Sequence, residues 1–441
     1  MGILRLTTPI KKPLSFKSLV RVFKDFWSGY DDKRRQKSVD YSMEDTLLSG
    51  LACMFYKSPS LLSFQDRMSK KYHRNNLQTQ FGVTKTPKDT QMRELIGLVD
   101  SQSLSPVFKE YLSRLQRGNH LNRFVFEGRY LLTVDGTQYY NSKEISCPKC
   151  LETELKNGDI TYSHKVVQPI ISHPDIKQII PLMPEEICHH DGDNKQDCET
   201  SAAKRLIGKI RKSHPRMRFI HMGDALYANT PYIEAIREAD DKFIFRVKEG
   251  SHSHLFSTFD ESETNEYEVV LDSGNRLVHK WLKGVPLHKS SKISVDIMRL
   301  FVISTNKKTG KQKSQLVGTW ATDLDVCENN VEALVRAARA RWKIENEGFN
   351  ALKNEGYNLT HNWGHVNGES FNFYLLTLLA FYMHQILDMT DALFQRCRIM
   401  ARAGYALWDE LRVLFNRFLY DSWEALLDDF LAGFKSADPP R

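Results

Sequence analysis

The chain has 441 residues, which corresponds to roughly two to four domains of about 100–200 residues or to one large domain with insertions. Hydrophobic residues make up 41% of it and charged residues 26%, which excludes a disordered protein and predicts a sizeable core. Lysine and arginine together exceed aspartate and glutamate by 8, which favours a polyanionic partner.

The N-terminal region is predicted to be helical, and it carries the whole basic excess. Residues 1–130 hold 23 basic and 12 acidic side chains, whereas the remaining residues hold 39 and 42. Apolar spacing predicts amphipathic helices over 14–30 and 43–56, with a basic run (KRRQK) at 33–37. We therefore expect residues 1–125 to form a basic, helical, DNA-binding domain, with a merely soluble basic surface as the alternative.

An α/β pattern begins at Arg129. Residues 129–134 (RYLLTV) predict a buried strand that ends at Asp135. The elements predicted after it are strands over 164–173 and 176–183, a helix over 199–213, a strand over 216–222, a helix over 231–240 and a strand over 243–247. This order predicts an α/β catalytic core, to which we assign residues 126–248 and 322–366.

The remaining segments have other patterns. Residues 249–321 contain several stretches of period two and no long helical pattern, which predicts a β-rich insertion. A long helix is predicted over 328–354, and further helices are predicted over 367–441. The most apolar segment, 371–387, has a clean run of about ten residues, short of the roughly 20 that a membrane helix needs. It is therefore predicted to be a buried core helix, and we expect no membrane partner.

Two carboxylates follow predicted strands directly. Asp135 comes after the strand at 129–134, and Asp224 comes after the strand at 216–222. Ligand sites form at such strand ends in α/β sheets, so the two side chains are candidates to share a divalent cation. Each of them alone also fits a turn or a helix cap.

The helix predicted over 328–354 offers a third carboxylate. Arg341 and Glu345 lie one turn apart on one face of it, whereas Glu347 lies about 200° round the helix from Glu345. The alternative is a surface Arg–Glu pair of little consequence. Mg²⁺ prefers oxygen ligands and leaves positions for water and phosphate, so three such carboxylates indicate phosphodiester chemistry.

Three segments carry a family resemblance when they are read together. They are TVDGTQYYNS around Asp135, GDALYAN around Asp224 and RARWKIENEGFNALKNEGYNLTHNWGH around Glu345. Together they resemble the insertion-sequence transposases of the DDE class, specifically the IS-four-like group, over about residues 129–365. The third motif departs from the family at Ala338, where the family has Tyr, and at Lys353, which comes one residue late. The resemblance implies an RNase H-like catalytic core with a β-rich insertion between its second and third acidic residues.

The resemblance also implies roles for individual residues. Asp135, Asp224 and Glu345 would be the catalytic residues and would bind Mg²⁺, for which Mn²⁺ substitutes. The residues implied in contacts with DNA or its phosphates are Arg341, Lys353, Tyr227, His361 and His365. A core position is the alternative for Tyr227, and a packed loop is the alternative for the two histidines.

The activity implied is that of a DNA transposase. It would cleave the inverted-repeat ends of its element and transfer the 3′-hydroxyl into target DNA, as a homodimer associated with the nucleoid in the cytoplasm. Two alternatives stay open. One is a structure-selective DNA nuclease or resolvase on the same fold, and the other is a catalytically inactive, transposase-derived DNA-binding protein.

Trp281 belongs to a mixed aromatic and basic stretch in the insertion. His279, Lys280 and Lys283 surround it, and such a mixture is suited to stack a flipped base and hold its phosphate. The alternative is a tryptophan in the core of the sheet.

The cysteines suggest a possible structural zinc site. Seven cysteines, an odd number, do not fit a secreted disulfide framework. Cys147-Pro-Lys-Cys150 is half of a zinc site, and His164, Cys188 and Cys198 are candidates to complete it. The predicted set is Cys147, Cys150, His164 and Cys198, and the alternative is a group of reduced thiols.

Overall fold

The structure, a computed structural model, describes residues 12–30, 32, 34, 39–68, 76–188, 197–306, 309–366, 368–401 and 404–436. Most of the basic run at 33–37 lies outside these residues. The described residues form a mixed α/β protein with one large sheet, as the sequence predicts at this level.

The N-terminal part is helical, in agreement with the prediction. Its helices are α1 (Phe16–Trp27), α2 (Met43–Phe55), α3 (Leu61–Met68), α4 (Asp89–Gly97) and α5 (Ser105–Arg117), with a π-helical turn at Leu77–Phe81. The amphipathic pattern predicted for α2 is wrong, because every residue of this helix except Glu44 is buried. This helix therefore has no face left for DNA.

The described residues contribute twelve strands to one sheet. The strands are β1 (Val125–Phe126), β2 (Arg129–Ser142), β3 (Leu151–Glu154), β4 (Ile160–His173), β5 (Ile176–Pro181), β6 (Glu185–Ile187), β7 (Phe219–Gly223), β8 (Lys242–Val247), β9 (Asn265–Val270), β10 (Arg276–Pro286), β11 (Ser294–Thr305) and β12 (Gln312–Thr322). The main path across the sheet is β3-β4-β2-β7-β8-β12-β11-β10-β9.

Strand β2 lies between an antiparallel and a parallel part of this sheet. It pairs antiparallel with β4 on one side and parallel with β7 on the other, and β7 pairs parallel with β8. Helix α6 (Glu199–Ser213) precedes β7, and α7 (Thr230–Glu238) connects β7 to β8. The Asn229 side chain caps α7 by accepting a hydrogen bond from the Tyr232 N–H at 3.1 Å.

The predicted insertion extends this sheet rather than forming a second one. Strand β12 pairs antiparallel with β8, so strands β9–β12 continue the order that begins at β3. The insertion also contains a short helix, α8 (Ser253–Glu261), for which the sequence shows no long helical pattern. Only Leu255 and Phe259 of this helix are buried, and two apolar positions among polar ones give a weak signal.

The single helix predicted over 328–354 is interrupted. Helix α9 (Val331–Arg339) is followed by an irregular turn, a π-helical segment (Ile344–Asn350) and the short α10 (Ala351–Asn354). The reason is that α9 packs in a smaller apolar cluster with Leu131 of β2, whereas Ile344 and Leu352 pack in the main core with Leu132. Successive residues of a strand face opposite sides of the sheet, so the chain passes from one face to the other between α9 and Ile344.

The predicted core helix is α11 (Glu369–Thr390), and three further helices follow it in the described chain. They are α12 (Ala392–Ala401), α13 (Gly404–Arg417) and α14 (Trp423–Ser436). Helix α11 is buried along its length, and its Asn372 amide donates hydrogen bonds of 2.8 Å to the carbonyls of Ile96 and Val99. The N-terminal and C-terminal helices therefore share one core. Among the described residues, no helix combines the length and the apolar character that crossing a membrane requires.

Candidate functional site: an acidic cluster beside a basic groove

Asp135 lies within β2 and not at its end, which corrects the predicted strand boundary. Strand β2 continues to Ser142 because it stays paired with β4, with Asp135 opposite Gln168. Its parallel pairing with β7, however, ends at Thr133. Asp135 therefore lies just beyond the end of the neighbouring parallel strand, which is where ligand sites form in α/β sheets.

Asp224 follows β7 directly, as predicted. Its Oδ1 accepts a hydrogen bond from the Leu226 N–H at 2.9 Å, so the carboxylate also orders the turn that follows the strand. The residue before it is Gly223, where a Cβ atom would lie 2.6 Å from the Tyr227 ring. Only glycine allows this close approach, which brings Tyr227 under the strand end.

Arg341 joins the first and third of the predicted carboxylates. Its guanidinium Nη1 lies 3.3 Å from Asp135 Oδ2, and its Nη2 lies 2.8 Å from Glu345 Oε1. Glu345 and Glu347 are both in the first turn of the π-helical segment. Burial lowers the pKa of the Lys343 ammonium group, and the charge of Glu347 partly opposes this decrease. Arg341 therefore distinguishes Glu345 from Glu347.

A fourth carboxylate, Glu199, joins the cluster although the sequence analysis did not single it out. It is the first residue of α6, and its Oε1 accepts a hydrogen bond of 2.7 Å from the Tyr227 hydroxyl. A Cβ atom on Gly136 would lie 2.1 Å from Glu199 Oε2, so this glycine makes room for the carboxylate beside Asp135. A glutamate at the start of a helix is common for electrostatic reasons alone, and no spacing connects it with the other three.

The pKa of Asp135 depends on burial and on the charges of the other residues in the cluster. Burial is the main reason why the pKa of Asp135 rises to about 7. The positive charge of Arg341 opposes this rise, while the negative charges of Glu199, Asp224 and Glu345 add to it. Arg341 thus contacts two carboxylates, Asp135 and Glu345, and the charges of Glu199 and Asp224 act on the first of them. Carboxylate oxygens are the ligands that a hard divalent cation such as Mg²⁺ prefers.

A basic groove begins at the same arginine. It is a cavity of about 460 Å³. The residues that give it its character are Arg246, Trp320, Arg336, Arg339, Arg341, Trp342 and Lys343. Trp342 is 51% exposed, although it adjoins the buried start of the π-helical segment. Cations and an exposed indole ring are the groups that hold nucleic-acid backbones and bases, and only Arg341 among them was predicted.

No protein-family model matches this chain, and a comparison with curated protein sequences gives no match. Divalent cations held by carboxylates can activate water and stabilise charge at phosphorus. Cationic side chains such as those of the neighbouring groove can hold a polyanion.

Two residues implied in DNA contacts are instead in the core. The Tyr227 side chain is fully buried and holds Glu199, so it supports the cluster from below. Trp281 is 5% exposed and packs in the smaller apolar cluster with Met298 and Trp320, so it is not free to stack on a base. In both cases burial of the large aromatic ring among apolar side chains is favoured over its exposure at the surface.

Lys353 and His361 remain at the surface. The Lys353 ammonium lies 5.9 Å from the centroid of the Phe349 ring, beyond the π-helical segment. His361 packs against Trp363, and burial together with the charge of Arg93 lowers its pKa. Neither placement tests the predicted phosphate contacts.

The predicted zinc ligands come together with one exchange. Ligand atoms of Cys147, Cys150, His164 and His365 lie within 4.8 Å of one another. The fourth member is thus His365, which was implied in DNA contacts, and not Cys198. Cys198 is exposed just before α6, where its sulfur lies 3.2 Å from the hydroxyl groups of both Thr200 and Ser201. The distance of more than 200 residues between Cys150 and His365 hides this partner from any spacing argument.

Proposed function

We propose that this protein is a DDE-type DNA transposase with an RNase H-like catalytic core. The observation that carries the proposal is that three distant motifs bring their carboxylates together. Arg341 contacts Asp135 and Glu345, and the charge of Asp224 acts on Asp135. The position of the β-rich insertion between the second and third of these residues supports the same conclusion.

The carboxylates would hold Mg²⁺, which would supply an activated oxygen nucleophile and stabilise the leaving oxygen in phosphodiester displacement. Glu199 is close enough to join them, or to orient a water molecule bound beside Asp135. Burial and the neighbouring negative charges raise the pKa of Asp135 to about 7, and a bound divalent cation would lower it by favouring the charged carboxylate. Arg341 would then be able to turn one of its nitrogens towards a phosphate.

The basic groove supports DNA as the substrate. Its five cationic side chains would hold the phosphates of a strand that enters the acidic cluster past Arg341. In this proposal the N-terminal region recognises the inverted-repeat ends, and a homodimer brings two ends together in the cytoplasm. The basic balance of residues 1–130 supports the first of these roles.

The test is strand cleavage of an end-labelled duplex that carries the DNA flanking this gene. We expect cuts at the tips of inverted repeats in Mg²⁺ or Mn²⁺, none in EDTA and none with Glu345→Ala, whereas Glu347→Ala retains them. Cuts at branched or mispaired DNA without inverted repeats would favour the nuclease alternative. Tight binding in EDTA without any cleavage in Mn²⁺ would favour the DNA-binding alternative and would refute the transposase.

A further inference from the structure

The four side chains of the Cys/His cluster have the spacing of a tetrahedral metal site. Cys147 Sγ and Cys150 Sγ lie 3.8 Å apart, and His164 Nε2 lies 3.4 Å and 3.6 Å from these two sulfurs. His365 Nε2 lies 3.4 Å from Cys150 Sγ. Zinc bonds of about 2.3 Å to sulfur and about 2.0–2.1 Å to nitrogen predict tetrahedral edges of about 3.8 Å between sulfurs and about 3.5 Å between sulfur and nitrogen. The observed separations agree with both edges.

Two simpler explanations do not account for the arrangement. A disulfide requires the sulfurs to be about 2.05 Å apart, and both cysteines are free thiols. Hydrogen bonding alone does not require both imidazoles to direct Nε2 at the same sulfur, since each ring has a second nitrogen. In both rings this second nitrogen, Nδ1, is buried and has no hydrogen-bond partner among the described residues. Among the described residues, the carboxylate that forms an ion-pair contact with the Nδ1 atom of His164 is that of Glu186, whose Oε1 lies 4.0 Å away. A carboxylate beside the second ring nitrogen is a common neighbour of a metal-bound histidine.

We propose that Cys147, Cys150, His164 and His365 bind one zinc ion in a closed, structural site. Two thiolates and two imidazoles complete a tetrahedron and leave no position for a substrate, and three of the four residues are buried. The proposal is independent of the transposase assignment, because none of these residues belongs to the acidic cluster.

The ion would join three distant parts of the chain. Cys147 and Cys150 lie in the loop between β2 and β3, His164 lies on β4, and His365 lies in the loop after α10. The His365 ring packs against the Tyr140 ring of β2 with 4.2 Å between the ring centroids. The backbone N–H of His365 donates a hydrogen bond of 2.8 Å to Glu369 Oε2 at the start of α11. Zinc would thus link the loop that carries His361 and Trp363 to β4 and to the loop that follows β2.

The test uses the full-length chain purified without chelators. Elemental analysis should find about one zinc per chain in the unmodified protein and in Cys198→Ser, and little zinc in Cys150→Ser. Replacement of zinc by cobalt should give thiolate-to-cobalt charge-transfer bands and the visible bands of a tetrahedral ion. His365→Cys should keep the metal, since Cys₃His is also a zinc-binding set, whereas His365→Ala should weaken its retention against a chelator.

Several results would overturn the proposal. Zinc well below one per chain in the unmodified protein, iron in its place, an octahedral cobalt spectrum, or zinc retained by Cys150→Ser would each do so. Asp135→Ala provides the comparison with the acidic cluster and should retain its zinc. Failure of DNA cleavage would leave this result unchanged, and absence of zinc would leave the cleavage test unchanged, so the two proposals fail separately.

Discussion

Asp135→Asn should stabilise the fold in the absence of divalent cations, although it removes the central carboxylate of the candidate site. The reason is that the carboxylate is buried among Glu199, Asp224 and Glu345, and the pKa of Asp135 is raised from 3.8 to about 7. The asparagine keeps an oxygen that can accept the 3.0 Å hydrogen bond from the Gly136 N–H. Arg341 keeps its contact with Glu345.

The magnitude follows from this pKa. Between about pH 4 and pH 7 the folded protein retains a proton on Asp135 that the unfolded chain has released. The stability of the unmodified protein therefore falls as the pH rises through this range, and the loss is complete above pH 7. At 1.36 kcal/mol for each tenfold change in proton affinity, the full loss is about 4 kcal/mol. One fifth of the side chain is exposed to solvent, so we expect a gain of about 2–4 kcal/mol in the variant at pH 8.

The assay is urea unfolding in EDTA at pH 4.5 and pH 8, followed by tryptophan fluorescence. The difference in the free energy of unfolding between Asp135→Asn and the unmodified protein should be large at pH 8 and small at pH 4.5. Asp241→Asn is the matched control, since Asp241 is buried but contacts Arg211 at 2.7 Å, the Phe219 N–H at 2.8 Å and His221 at 3.2 Å. Burial opposes ionisation of Asp241, but these partners outweigh burial and keep the pKa below its ordinary value. We expect this control to lose about 3 kcal/mol.

Addition of Mg²⁺ should narrow the difference in stability between Asp135→Asn and the unmodified protein. A cation at 100 times its dissociation constant would stabilise the unmodified protein by about 2.7 kcal/mol, and Asp135→Asn should gain much less. An asparagine variant that is less stable than the unmodified protein at pH 8 in EDTA would refute the electrostatic reasoning. Equal Mg²⁺ stabilisation of both proteins would refute the assignment of Asp135 as a ligand.

Three further predictions concern the same region. Glu345→Ala should lower the rate of cleavage of a labelled DNA duplex by at least about 10³-fold, and Glu347→Ala by less than about tenfold. The reason is that Glu345, and not Glu347, contacts Arg341. Equal losses would contradict the assignment of Glu345 as the third carboxylate. Gly136→Ala should destabilise the protein by about 1–3 kcal/mol in urea unfolding, because its Cβ would collide with the Glu199 carboxylate, and unchanged stability would contradict this contact. Arg339→Ala should reduce the slope of log Kd against log salt for DNA binding by about 1, and an unchanged slope would place the DNA outside the groove.

The sequence predicts the local elements of the α/β region well. Helix α6 is predicted with its observed bounds, and the strand before Asp224 is predicted within three residues, because its apolar run is strong and ends in polar residues. Strand β2 begins where predicted but continues to Ser142, because it stays paired with β4. It does not predict that β12 pairs with β8, since this pairing depends on competition among several strands of similar pattern. It also does not predict the interruption before Ile344. That break arises because the chain changes from one face of the sheet to the other, and helical periodicity carries no information about which layer a residue enters.

The candidate site is predictable only where a motif marks it. Asp135 and Asp224 are predicted because each follows an apolar run typical of a strand, and Glu345 is predicted because it lies one helical turn from Arg341. The family resemblance adds the expectation that the three residues act together. Glu199 is missed because what places it is space at Gly136 and the Tyr227 hydroxyl, neither of which has a sequence signal. The exposed groups of the basic groove are missed for a similar reason, since a charged residue on a helix is ordinarily a solvated surface residue.

The all-round burial of α2 has a consequence for how the chain folds during synthesis. Its partner α11 lies more than 300 residues later, so the ribosome completes most of the protein before this apolar helix can be covered. At about 5–20 residues per second, the helix waits on the order of tens of seconds. Throughout that interval the nascent chain exposes a surface that attracts chaperones and other unfinished chains. The yield of active protein should therefore depend on translation speed and temperature more steeply than the stability of the finished fold would suggest.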